Sequence, residues 1–126
     1  MHIDEVTEVV ATDEFDAWYQ GLAEEDALAV TRAVDRLAQL GVRLGFPHSS
    51  AIKGSKHALR ELRVQSGGRP IRILYAFDPR RQAVLLIGGD KSGDNRFYEL
   101  MVPFAEQIFD AFLREQAEGK HDGKEE

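Results

Sequence analysis

The 126-residue chain has no cysteine, and this absence alone excludes a disulfide framework, a thiolate zinc site, an iron–sulfur cluster and a cysteine nucleophile. It is compatible with a reducing cytoplasm, which is where we expect the protein to act. Long apolar runs are missing too. The longest, such as Ala83 to Ile87, have five residues, whereas a membrane span needs about 20. The opening MHIDEVTEVV carries neither a basic stretch nor an apolar core, so no signal peptide and no membrane partner is expected. Histidine is sparse, and His2, His48, His57 and His121 are scattered and make no HxH or HExxH cluster. With no GxSxG elbow and no GxxxxGK[ST] or GxGxxG loop, neither a metal, a serine nucleophile nor a bound cofactor is expected.

What the chain does have is charge arranged in blocks. Its net charge is −6, yet residues 1–42 carry −8, residues 43–98 carry +7 and residues 99–126 carry −5. Either the basic middle third forms a local polyanion site within a repelling surface, or it pairs with the acidic flanking helices inside the fold. A chain of this length, 43% hydrophobic and 30% charged, makes one globular domain. We assign it to residues 1–117 and expect 118–126 to be a charged, disordered tail.

The periodicities predict an α+β order, β-α-α-β-β-β-α. Val6, Val9 and Val10 suggest a short strand, and Thr12 before Asp13 and Glu14 suggests a helix N-cap. Phe15, Trp18, Tyr19 and Leu22 share one helical face. A second helix over 24–40 carries Ala27, Val30, Val34 and Leu37, with Gly41 to end it. The segment 41–56 has no period and is expected to be a long loop. LRELRVQ (59–65), IRILYAF (71–77) and AVLLI (83–87) are strand-like and joined by the turn compositions SGGRP and DPRRQ. They predict a small antiparallel meander. It packs with the N-terminal helical hairpin and a C-terminal helix over 95–116, where Pro103 either kinks the helix or starts a new turn.

The chemistry is concentrated on the strands and loops of the basic segment: Lys53, Lys56, His57, Arg60, Glu61, Arg63, Arg69, Arg72, Lys91 and Arg96, with Tyr98. In a meander Arg63, Arg72 and Lys91 come from successive strands or their ends and converge. Arg72 alternates with apolar neighbours, a costly position unless it meets an anion or an acid. Converging cations suit metal-free RNA cleavage. That reaction needs one group to take the 2′-hydroxyl proton, one to hold the negative phosphorane and one to protonate the leaving 5′-oxygen. Arginine fits the middle role, and His57 or a lysine could carry the proton.

IKGSK (52–56), LRELRV (59–64), GGRPIRILYAFD (67–78), AVLLIGGDKSG (83–93) and NRFYELMVPFAEQIFDAFL (95–113), in that order, resemble the HigB-type branch of the RelE/ParE toxin superfamily in its phage-derived, actinobacterial form. The resemblance covers residues 5–116. It implies a RelE-like toxin of a type II toxin–antitoxin module, a metal-independent mRNA endoribonuclease working on the ribosome. The implied partners are mRNA and a cognate antitoxin encoded by the adjacent gene. It further implies that Arg63, Arg72 and Lys91 line the active groove and that loop residues such as Lys53 and His57 meet the RNA backbone; we expect Arg63, Arg72 and Lys91 to be catalytic and, from the basic segment itself, Lys56, Arg69, Arg96 and Tyr98 to bind RNA as well. The family's usual lysine pair after the last strand is reduced here to Lys91. Two alternatives share the fold: a ParE-like gyrase-inhibiting toxin without nuclease activity, and a non-catalytic RNA- or protein-binding domain of prophage origin.

Overall fold

The computed structural model describes residues 6–119. Strand β1 (Val9–Ala11) leads into helices α1 (Asp13–Gln20) and α2 (Glu24–Leu40). Strands β2 (Ser49–Ala51), β3 (Arg60–Ser66), β4 (Arg69–Phe77) and β5 (Ala83–Asp90) follow, and α3 (Phe97–Ala117) closes the domain. The sheet order is β1-β5-β4-β3-β2. Of the expected tail, Glu118 caps α3 and its N–H donates to the Arg114 carbonyl, whereas residues 120–126 lie outside the described residues.

The α+β class and the RelE-like arrangement are as expected, with two additions. First, the loop predicted over 41–56 contains a 3-10 turn, Gly41–Arg43, and the short strand β2, which pairs antiparallel with residues 60–62 of β3. A three-residue strand is too short to show a period. Second, β1 lies parallel to β5, so the sheet is mixed and the antiparallel meander is confined to β2–β5. The α1–α2 hairpin supplies the long crossover that a parallel pair requires.

Side chains alternate between the two faces of the sheet. Leu62, Val64, Ile71, Ile73 and Tyr75 face a core shared with Phe15 of α1 and Val30, Ala33 and Leu37 of α2. Leu74 and Ala76 face the other way, against Phe97, Ala105, Ile108, Phe109 and Phe112 of α3. The sheet is thus a middle layer between the helical hairpin and α3. Between Leu74 and Tyr75 the β4–β5 register shifts by one, so that Leu86 and Ile87 both turn toward α3. Thr12 anchors α1 at this bulge: its hydroxyl accepts from Phe15 N–H at 3.2 Å and reaches the Leu85 and Leu86 carbonyls at 2.9 and 3.0 Å.

β5 continues past Ile87 because its glycines make room for rings. A Cβ on Gly88 would fall 2.4 Å from Trp18, and one on Gly89 would fall 2.9 Å from Phe97. A sequence rule that ends strands at glycine stops too early here. The Gly67–Gly68 pair does make a tight turn, with φ of 58° and 78°, values that suit a two-residue hairpin. Counting outward from it sets Ser66 opposite Arg69 and, three pairs on, Arg63 directly opposite Arg72.

Candidate functional site

Two guanidinium groups side by side on one sheet face repel each other unless an anion joins them. Glu61, diagonal to Arg72 across the β3–β4 ladder, is that anion. Its carboxylate is buried. It accepts from the Tyr98 hydroxyl at 2.6 Å and the Ser50 hydroxyl at 2.9 Å, with Arg63 Nη1 at 3.5 Å and Arg72 Nε at 3.6 Å. Arg72 is 5% exposed, and its Nη1 donates to the Ile71 carbonyl. Its Nε is buried with no hydrogen bond among the described residues. The burial expected of Arg72 is therefore real, and the acid it meets is internal. Burial and the neighbouring Glu61 push the Tyr98 phenol above its ordinary value of 10.0, so it stays a neutral hydrogen-bond donor at physiological pH. Lys91, just beyond β5, puts its Nζ 5.4 Å from the centre of the Tyr98 ring.

Two hollows flank this network. One, about 560 Å³, is lined by Lys53, Glu61, Tyr98, Glu99 and the apolar Ala51, Ile52, Val102 and Pro103. The other, about 470 Å³, follows β3 where β2 no longer covers it. Arg63 and Arg72 of the sheet, Arg32 and Arg36 of α2, and Pro47 and His48 of the preceding loop line it together with Ala29, Ala33, Val64 and Gln65. Arg32 and Arg36 lie one helical turn apart, so both reach the same side. No carboxylate is among the lining residues, and neither arginine is ion-paired with a described residue.

Of the nine predicted site residues, Arg63, Arg72 and Tyr98 meet Glu61, Lys91 lies over the Tyr98 ring, and Lys53 lines the same hollow as Glu61 and Tyr98. The other four do not join them. Lys56 Nζ pairs with Asp110 at 2.8 Å, and its backbone N–H donates to Glu106. His57 Nε2 meets Asp110 at 2.7 Å while its ring stands edge-on to Phe109. These contacts clamp the 53–57 loop to α3 and hold the Asp110 carboxyl below its ordinary range, Lys56 first and His57 second. Arg69 bridges Asp26, at 2.5 Å, and Asp90, at 3.0 Å. Arg96 is an exposed residue at the start of α3, 3.4 Å from Glu99.

Arg32, Arg36 and His48 were not among the predicted residues. The two arginines were legible only as the sole bases of an acidic N-terminal third, and His48 as one scattered histidine. Among the described residues no three His, Asp or Glu side chains gather to hold a metal ion, and no helix is long and apolar enough to cross a membrane.

The fold and the groove define a class: a small RelE-like α+β domain with an arginine-lined trough beside its sheet. Within that class, residues 17–110 match the model of the family described as Phage derived protein Gp49-like (DUF891), and the chain belongs to this family. This is the HigB-type branch to which the strand motifs pointed. Two proteins of Mycobacterium tuberculosis (strain ATCC 25618 / H37Rv) are similar to it. One, named as a candidate toxin, HigB3, is 38% identical over 113 residues, covering 88% of this chain and 97% of the relative. The other, named as a candidate toxin, HigB2, is 37% identical over 109 residues, or 84% of this chain and 54% of the relative. The chain thus spans about half the length of this second relative.

Proposed function

We propose that the chain is the toxin of a type II toxin–antitoxin module and a metal-independent endoribonuclease that cleaves mRNA on the ribosome. The observation that carries this reading is the convergence of Arg32, Arg36, Arg63 and Arg72 on one trough without a lining carboxylate, in a chain whose net charge is −6. Four arginines against the single buried carboxylate of Glu61 leave a local excess of positive charge, which supports a polyanion site in an otherwise acidic protein. The similarity to relatives named as toxins supports the same assignment.

In the proposed reaction the 2′-hydroxyl attacks the adjacent phosphorus, its proton passes to a base, and the 5′-oxygen leaves with a proton supplied by an acid. Arg72 and Arg63 hold the phosphorane charge as fixed forks. His48, exposed on the trough, is the better proton carrier than His57, which Asp110 and Phe109 occupy. Glu61 orients Arg72 and keeps Tyr98 in place, with Lys91 beside it. The cognate antitoxin, the product of the neighbouring gene, blocks the trough with an acidic segment.

Induced expression in a bacterial host, with growth followed and mRNA 5′ ends mapped, tests the proposal. Growth arrest with new cleavage sites, both lost in an Arg63→Ala, Arg72→Ala, Lys91→Ala triple variant, is the expected result. Arrest with intact mRNA and a DNA-damage response would transfer the assignment to gyrase inhibition. Growth without arrest would leave a non-catalytic binding domain.

A further inference from the structure

We infer that Phe46 is a stacking platform for one unpaired nucleobase of the RNA strand held in the arginine trough, an inference that rests on the nuclease reading above. Phe46 is 77% exposed, among the most exposed apolar side chains described. Its position is nonetheless built. Buried Leu44 and Ser49 anchor the loop on either side, and the backbone N–H groups of His48 and Ser49 both donate to the Gly45 carbonyl at 3.0 Å. The ring is thus carried on the tip of a closed turn.

One ring face is already occupied. The Arg63 guanidinium carbon lies 5.2 Å from the ring centre, and Arg63 is itself held by Glu61. With 77% of the residue exposed, the rest of the ring is open to solvent, and the next two residues, Pro47 and His48, line the trough. Single-stranded RNA is bound by cations that track its phosphates together with aromatic faces on which its bases stack, and this corner of the molecule supplies both. The surroundings separate Phe46 from the exposed apolar residues of α3. Leu100 and Phe104 share their helix with Glu99 and Glu106, which repel a polyanion. Phe46 instead packs against Arg63 and directly precedes Pro47 and His48, which line the trough with Arg32 and Arg36.

The test uses the full chain and a labelled oligoribonucleotide of about eight residues, fully 2′-O-methylated so that it cannot be cleaved. A matching strand carries abasic sites throughout. Wild type is expected to bind the base-bearing strand at least about fivefold more tightly than the abasic one, the lower range for stacking a single base. Phe46→Ala should abolish that preference while binding the abasic strand unchanged. Phe46→Trp should keep the preference, with the added indole emission quenched on binding. If Phe46→Ala prefers the base-bearing strand as strongly as wild type does, the inference is overturned and the RNA reading stands. If Phe46→Ala binds RNA normally and instead fails to co-purify with the product of the neighbouring gene, Phe46 is a protein contact and the inference is likewise overturned. If wild type binds neither strand, the RNA reading fails and takes this inference with it.

Discussion

Arg69 and Arg63 flank the same two-glycine hairpin, and their surroundings divide the basic segment in two. Arg69 is held between Asp26 of α2 and Asp90 of β5, while the Ser66 hydroxyl donates to the same Asp26. Lys56 and His57 are held in the same manner on Glu106 and Asp110 of α3. These cations fasten the acidic helices to the sheet, as the pairing alternative for the charge blocks required. Arg63, Arg72, Arg32 and Arg36 instead surround a trough with no lining carboxylate, as the polyanion alternative required. The pairing reading of the +7 segment thus holds for Lys56, His57 and Arg69, while the proposed polyanion reading rests on Arg63 and Arg72, joined by Arg32 and Arg36 from the acidic N-terminal block. Residue type does not separate them; the partner each side chain finds in the fold does.

Arg72 belongs to both groups, and removing it should have the largest effect. Arg72→Ala is expected to lower RNA cleavage by about 100-fold or more, the loss that follows removal of one transition-state donor. It also leaves the buried Glu61 with fewer cations, at a cost of about 3 kcal/mol, the lower range for breaking a buried pair. Cleavage assays beside thermal melts would show both losses. A variant that lost activity with an unchanged melting temperature would mean that Glu61 does not depend on Arg72.

Arg63→Ala should sharpen the comparison by separating the two effects. Its side chain is 31% exposed and its hydrogen bond to Glu61 is long, at 3.5 Å, so truncation should cost under about 1 kcal/mol of stability. Cleavage should still fall by roughly tenfold or more, because a phosphate-facing fork is lost. Denaturant melts combined with single-turnover cleavage give both quantities.

How much of this was legible in the sequence follows from what kind of information each feature needs. Period and turn chemistry are local, so the helices and the three long strands could be read directly. Arg72 could be marked as a costly inward arginine from its neighbours alone. Whether a surface cation is pinned or open depends on which acid the fold brings to it, and no local pattern carries that. Asp26 is 43 residues from Arg69, and Asp110 is 53 from His57. For the same reason Lys56, His57 and Arg69 looked like Arg63, while Arg36 and His48 looked unremarkable. The β1–β5 parallel pair was hidden because a three-residue strand has almost no pattern of its own.

The pinned group should reveal itself in acid. Hydrogen bonds from Arg69 and then Ser66 hold the Asp26 carboxyl below its ordinary value of 3.8. A carboxyl with a depressed native pKa stabilises the fold above that ordinary value, and the contribution is lost as pH falls through the native one. Wild type should therefore melt higher than Arg69→Ala near neutral pH, and the two melting curves should converge well below pH 4. Cleavage by the variant should stay close to wild type. Parallel melting curves at every pH would show that Arg69 does not act through Asp26.

The smallest effect should come from Lys56, and its smallness is the point. A lysine that contacts RNA adds to the salt dependence of binding, because each neutralised phosphate of a single strand contributes about −0.7 to the slope of log K against log salt. Lys56 has its Nζ on Asp110, so it already has a counter-charge and releases little when RNA arrives. Lys56→Ala should leave that slope within error of wild type. Arg36→Ala, from the unpaired side of the comparison, should make it shallower by about 0.7. Titrations of a labelled oligoribonucleotide at several salt concentrations distinguish the two. Equal changes in both variants would mean that the Asp110 pair opens when RNA binds, and that the basic segment acts as a single surface.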